Sequence, residues 1–584
     1  MAGLLELVNA RLQPAFDRVA PGADPVLRPS GQAGVDLQAN GALPLAKRLG
    51  RPPAELAAGI VAGADLAGMC AKVEANAKGF VNLTLDDNWL AGTLRAVAAD
   101  GRLGRERTRE ALTVVVDYSA PNVAKEMHAG HLRTTIIGDA LCRLLGDAGH
   151  RVVRENHVGD WGTQFGMLIE HLVDAGEAGL EELSVGDLEG FYREARAAFD
   201  SSDELRERSR RRVVALQSGD PETVALWRRL IDQSVAYFTE VYRRLDVLLE
   251  PGDVVGESFY NDQLPAVVSE LDALGLLVDS DGARCVFPPG FVNRDGEPMP
   301  LIVQKSDGGY NYATTDLAAI RDRFGRLGAD LALYVVGAPQ ALHFEMVFAV
   351  ARMAGWLPEG KEAVHVSFGS VLGADRKMFR TRAGGTVKLV ELVDEAVERA
   401  AAVVADKSPE LSAEQAAAVA HAVGVGALKY ADLSTDRTRD YVFDWDRMLS
   451  FEGNTAPYLQ YAHARIASIF RRAGADPEAL LAGEAGPAGE ASSLVAEAEE
   501  RALAIALLGF DTAVAATLDT YSPHKLCSYL YELAGAFTGF YEHCPVLRAE
   551  SAEVRAGRLL LCAHTAAVLS AGLGLLGIAT PERM

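Results

Sequence analysis

The stretch that most limits the fold runs from Leu112 to Asn156. It opens on a β-branched run, LTVVVDYS, passes through a polar loop containing Pro121, and enters a segment with apolar residues at 132, 136, 137, 140, 141, 144 and 145. The first run has the length and branching of a buried strand, and the second carries the stripe of an amphipathic helix. Gly149 is placed to end that helix, and RVVREN (151–156) is a second strand. Strand, helix and strand at this spacing make the βαβ unit of a parallel sheet. The alternation returns downstream, with a strand in LALYVVG (331–337), a helix in QALHFEMVFAVARMAGW (340–356) and a strand in AVHVSFGSVLG (363–373). The expected fold is α/β, a Rossmann-type, doubly wound parallel sheet.

The flanks differ from this core. Residues 1–105 read as a small α+β domain, with helical patterns first and KGFVNLTL (78–85) alternating like a strand. DGRLGRERTRE (100–110) reads as a linker, and the sheet domain is expected over 106–404. Within it, roughly 177–255 is an insertion of charged helices. The insertion holds Arg206, Arg208, Arg210, Arg211 and Arg212, a run that fits either a solvated face or an RNA contact. Residues 405–584 carry no parallel-strand signal and read as an all-α bundle, interrupted by a surface loop at 480–493.

The 584 residues are 49% hydrophobic, enough for a large core. No run of 18 apolar residues is evident, so no membrane span is expected, and the N-terminus lacks the basic start of a signal peptide. The six cysteines form no C-x-x-C pair, which argues against a zinc site or a disulfide framework and for a reducing cytoplasm. A net charge of −23 argues against a nucleic-acid partner at long range. It does not forbid a local basic groove.

The chemistry lies where the first strand meets the first helix, in His128-Ala129-Gly130-His131. Ligands of doubly wound sheets bind at the carboxyl ends of the strands, and the free N–H groups of a helix start favour anions. Two imidazoles there add donors, and Gly130 permits close approach of a flat ligand or a backbone. No Walker loop is present. An H-x-x-H pair also suits a metal, but no nearby Cys or third His completes a shell. Two histidines decorating a helix start remain an open alternative.

HAGH after a strand resembles the H-I-G-H signature of class I aminoacyl-tRNA synthetases. SAPNVAKEMHAGHLRTTIIGDAL followed by NHVGDWGTQFGMLI resembles the arginyl-tRNA synthetases specifically. GYNYATTDLAAI, VVGAPQALHFEMVF, TRAGGTVKLVEL, FEGNTAPYLQYAHARI, FTGFYEHCPVL and LLGIATPERM follow in the family's order.

The resemblance implies ATP-dependent ligation of L-arginine to tRNA(Arg) through an arginyl-adenylate, with Mg2+ accompanying ATP. It implies a monomer in the cytoplasm with no tightly bound cofactor. His128, Gly130 and His131 would bind ATP. Ser119, Asn122 and Gln340 would meet the amine and carboxylate of arginine, and Glu257, Tyr312 and Asp316 its guanidinium. Phe80, Asn82, Tyr458, Gln460, Tyr461 and Arg465 would contact tRNA. One departure stands out. The family signature K-M-S-K is replaced by a string in which Lys377 and Arg380 form a degenerate copy, and Lys125 resembles the lysine that takes over its role.

Overall fold

A computed structural model describes residues 3–185, 188–379, 387–483 and 494–584. The chain forms two compact units. One comprises Thr108–Val403 with Gly424–Met448; the other comprises Met1–Arg107, Val404–Val423 and Leu449–Met584.

The first unit is built on a four-stranded sheet. In spatial order its strands are Glu362–His365, Leu331–Tyr334, Thr113–Asp117 and Arg151–Glu155, and every neighbouring pair is parallel. Val114, Val115 and Val116 are fully buried, as expected of a central strand covered on both faces. From that strand the first crossover leads to Arg151–Glu155 on one side. The later strands lie on the other side, so the winding reverses between Thr113–Asp117 and Leu331–Tyr334. Such a reversal opens a crevice at the carboxyl ends of the strands. The crossover helix Ala129–Asp147 packs closely because residue 138 is glycine. A Cβ there would stand 2.3 Å from the Tyr118 ring.

Three features depart from the sequence expectation. The strand expected over 363–373 is two strands in different sheets. Glu362–His365 belongs to the main sheet, whereas Val371–Leu372 pairs in parallel with Tyr441–Val442. That second pair also places a parallel strand beyond residue 405, where none was expected; two residues are too short to leave a periodic signal. A three-stranded antiparallel sheet (Val278–Ser280, Ala283–Val286, Leu301–Gln304) was not anticipated either.

The insertion is helical, with Gln164–Val185 broken at Gly176, then Leu188–Ser201, Asp203–Gln217 and Pro221–Arg244. Four of the five arginines of the run pair with acids of these helices: Arg212 with Glu170 at 2.6 Å, Arg208 with Glu170 and Asp174, Arg206 with Asp203, and Arg210 with Glu207.

In the other unit, an antiparallel sheet (Leu27–Pro29, Leu37–Ala39, Val81–Leu85, Cys70–Ala75) packs with helices and with the C-terminal bundle. Arg501 of the bundle ties them together, pairing with Asp36 (2.6 Å) and Asp87 (2.9 Å) and donating to the Leu85 carbonyl. Contrary to expectation, Ala498–Thr520 and Ala552–Leu575 are apolar and long enough to cross a membrane. The first is interrupted between Ala498–Leu507 and Phe510–Thr520, and the second holds buried Arg558 against Glu500 at 2.7 Å. From residue 484, the loop expected at 480–493 lies outside the described residues.

Candidate active site

His128 caps the crossover helix from an extended backbone. The Gly130 amide donates to Nδ1 of His128 (3.0 Å), and the His128 amide donates to Nδ1 of His131 (3.1 Å). A ring nitrogen that accepts carries no proton, so each imidazole holds its hydrogen on Nε2. Burial, and then the neighbouring His128, push the His131 pKa down to about 3, so that ring is a neutral donor. Gly130 also has a local role: a Cβ there would lie 2.7 Å from Cε1 of His128 and drive the ring off its cap. The returning segment 387–389 locks the turn. The Ala129 amide donates to the Val387 carbonyl, that of Leu389 to Met127, and Lys388 pairs with Glu126 at 2.8 Å.

Charge is concentrated at the strand ends. Asp117 and Glu155 lie opposite each other in the register, and buried Arg323 reaches both, at 2.8 and 2.6 Å. Its guanidinium also lies 4.7 Å from the Tyr334 ring on the next strand. Thus one side chain of helix Tyr312–Gly325 ties the ends of three strands.

The same helix carries Tyr312 and Asp316 on one face. Both meet His343 of helix Ala341–Met353: Nε2 lies 2.6 Å from Oδ2 of Asp316, and the Tyr312 ring centroid is 4.9 Å away, edge-on. Glu257 is electrostatically coupled to Asp316 and Asp160. Burial first, then these acids, raise its carboxyl to about 7, against a lowering by His157. Asp160 is held by the amide and hydroxyl of Ser258. Among the described residues, no Lys or Arg pairs with Glu257, Asp160 or Asp316.

The remaining candidates divide. Asn122 and Gln340 are exposed near the strand ends, with Asn122 bridged to Gly159. Ser119 is held within the fold. Its buried hydroxyl already bonds Tyr242 (2.7 Å) and Thr135 (2.9 Å), and its φ of +74° stores backbone strain, about 1–3 kcal/mol. Lys125 rests its ammonium 4.7 Å from the Tyr192 ring centroid of the insertion. Lys377 is exposed on a tight turn whose ends pair Leu372 with Met378. Arg380 lies outside the described residues.

In the other unit, Arg465 lies between the rings of Tyr461 and Tyr541, at 5.0 and 5.2 Å. Both tyrosines are partly exposed, beside a cavity of about 410 Å³ lined also by Arg471 and Arg583. Tyr458 is half-buried against Tyr531 and Thr538. Gln460 does not reach this surface: it is wholly buried and donates to the carbonyls of Ala422 and Ala579, so it is removed from the RNA candidates. Asn82 is buried against Gln38, and Phe80 is half-buried at the start of its strand.

Sequence reasoning missed His343, Arg323 and the Lys388–Glu126 pair. His343 lies three residues after Gln340, one helical turn on. Arg323 interrupts an apolar stripe three residues after Ile320; a charge in such a stripe is the readable signal.

Three family models cover most of the chain. The one described as arginyl tRNA synthetase N terminal domain matches 3–85. The class I (R) tRNA synthetase catalytic domain matches 93–445, and the DALR anticodon binding domain matches 459–584. An arginine–tRNA ligase of Thermobifida fusca is 54% identical over 582 residues, covering 100% of this chain and 99% of that protein. One from Escherichia coli is 50% identical over 549 residues, 94% of each. The crystal structure of the Plasmodium falciparum arginyl-tRNA synthetase superposes with a TM-score of 0.84 at 29% identity over 100% of both chains. With a donor-lined helix start at the switch point and these matches along its length, the chain belongs to the arginyl-tRNA synthetase family.

Proposed function

We propose that this protein activates L-arginine with ATP and passes the arginyl group to tRNA(Arg), releasing pyrophosphate and then AMP. The observation that carries the reading is a helix start bearing two imidazole donors in the same fold unit as a cluster of acids, Glu257, Asp160 and Asp316, that no Lys or Arg pairs with among the described residues. A guanidinium supplies what that pocket lacks.

The arginine carboxylate is already ionised and attacks the α-phosphorus without a general base, so the protein's work is positioning and charge stabilisation. His128 and His131 aim Nε2–H at the phosphate oxygens, and Gly130 keeps His128 in place. ATP enters with Mg2+, which hard phosphate oxygens hold. Lys125, rather than Lys377 or Arg380, steadies the departing pyrophosphate. Asn122 and Gln340 meet the amine and carboxylate, Ser119 supports the turn beneath them, and Tyr312, Asp316 and Glu257 select the side chain. In the second step a ribose hydroxyl of the terminal adenosine takes the arginyl group.

Tyr461 and Arg465, with Tyr458 at the edge, offer rings and a guanidinium for RNA bases; Phe80 and Asn82 mark a second contact. The functional segments are 1–105 for tRNA, 106–404 for catalysis and 405–584 for the anticodon. The protein works as a monomer in the cytoplasm, and tRNA is required for arginine activation.

Transfer of radiolabelled arginine to bulk tRNA, with the other amino acids as competitors, tests the reaction. Competition by another amino acid at equal concentration would overturn the assignment. Replacing His128 or His131 with Ala should each lower kcat about a hundredfold, ~3 kcal/mol; a double variant with full turnover sinks the cradle.

A further inference from the structure

We infer that His343 is a positioning residue for arginine selection: by bonding one oxygen of Asp316 it fixes the direction in which that carboxylate meets the substrate. The inference rests on the assignment of Asp316 as a guanidinium partner. His343 and Asp316 come from adjacent helices, Ala341–Met353 and Tyr312–Gly325, and are 14% and 18% exposed. The 2.6 Å contact from Nε2 to Oδ2 has the length of a charge-assisted bond. Oδ1 of Asp316 makes no hydrogen bond among the described residues.

An aspartate with two open oxygens can grip a guanidinium with both. Here Oδ2 is held by the imidazole, so the carboxylate is locked in rotation about its Cβ–Cγ bond and presents Oδ1, with the second lone pair of Oδ2, in a fixed direction. A guanidinium carries five N–H donors, more than one carboxylate satisfies, and Glu257, whose carboxyl feels the charge of Asp316, is an acceptor for others. The Tyr312 ring, edge-on at 4.9 Å, and the Phe344 ring at 5.4 Å flank the imidazole and restrict its tilt. His343 therefore touches no substrate in this arrangement; it sets the direction of the group that does.

The test compares His343→Gln, which keeps an N–H donor at similar reach, with His343→Leu, which keeps bulk without a donor. Both are assayed as the full-length enzyme with tRNA present, for KM of arginine, KM of ATP and kcat. His343→Leu should raise the arginine KM about tenfold, the weight of one lost hydrogen bond to a charged group, with ATP KM unchanged. His343→Gln should stay within about threefold of the parent. An unchanged arginine KM in His343→Leu, or equal damage in both variants, overturns the inference. If Asp316→Asn itself leaves the arginine KM unchanged, the assignment of Asp316 fails first. If Asp316→Asn is impaired and His343→Leu is not, only the role of His343 fails.

Discussion

Two groups of acids in the sheet-bearing unit are treated in opposite ways. Asp117 and Glu155 are answered from within, by an arginine buried between them. Glu257, Asp160 and Asp316 receive a histidine and a serine, and no Lys or Arg among the described residues. The first group is closed and its bonds are satisfied. The second is poised, and burial shows in the raised carboxyl of Glu257. Charges left uncompensated in a low-dielectric site cost stability, and a fold tolerates that where a ligand completes the set. Arg323 thus shows, a few residues along the same helix, how this protein neutralises carboxylates with a guanidinium. On the proposed reading, the acids around Asp316 await the same kind of partner from the substrate.

The largest effect should come from breaking the closed group. Arg323→Leu leaves Asp117 and Glu155 buried without a partner, a loss of about 3–5 kcal/mol. Urea unfolding should show it as a lower midpoint, and Arg323→Lys should recover part, since it restores charge but not the fork. A midpoint unchanged in Arg323→Leu would mean that the strand ends are held by packing alone.

The open group should respond in function rather than in stability. Asp316→Asn keeps shape and replaces an acceptor by a donor. The kcat/KM for arginine should fall about a hundredfold, ~3 kcal/mol, within the range for truncating one partner of a buried charged pair. Its unfolding midpoint should move far less than that of Arg323→Leu. Should the two variants lose stability equally, the two groups are not different in kind.

This contrast was only half legible in the sequence. The βαβ run fixed the parallel sheet, because β-branching and a helical stripe survive in any context. Tyr312 and Asp316, four apart, share one face of their helix, a relation that i, i+4 spacing carries in any helix. Pairings between distant elements left no such trace: Arg323 with Glu155 and His343 with Asp316 depend on which helices pack together, and no periodicity encodes that. Ser119 and Gln460 have surroundings that the sequence did not show, for the converse reason. Their neighbours in the chain suggested a ligand, while their hydroxyl and amide are engaged by Tyr242, Thr135, Ala422 and Ala579 from elsewhere in the fold.

A smaller effect tests whether the acidic pocket is independent of the ATP end. Gly130→Ala pushes the His128 ring from its cap without touching Asp316 or Glu257. Its turnover should fall about tenfold, ~1.4 kcal/mol, while the arginine KM stays near that of the parent. A rise in arginine KM as large as that of Asp316→Asn would show that the two ends act as one site.

The subtlest consequence is a pair of opposed pH slopes. Burial holds the Glu257 proton up to about 7 in the folded protein, against an ordinary glutamate value of 4.5. Between those two values the folded state binds a proton that the unfolded chain has released, so stability falls as pH rises through the window. Arginine binding runs the other way, because a guanidinium pairs with the ionised carboxylate. Affinity for arginine should therefore grow about tenfold from roughly pH 6 to pH 8 and then level off. Glu257→Gln removes the titrating group and should flatten both slopes, with the neutral amide sparing the stability that ionisation costs. Isothermal titration with arginine across that range, beside urea unfolding at the same pH values, separates the two. If the slope in arginine affinity persists in Glu257→Gln, the titrating group is another acid of the cluster, Asp160, whose carboxyl burial also raises, and Glu257 belongs with the closed acids rather than the poised ones.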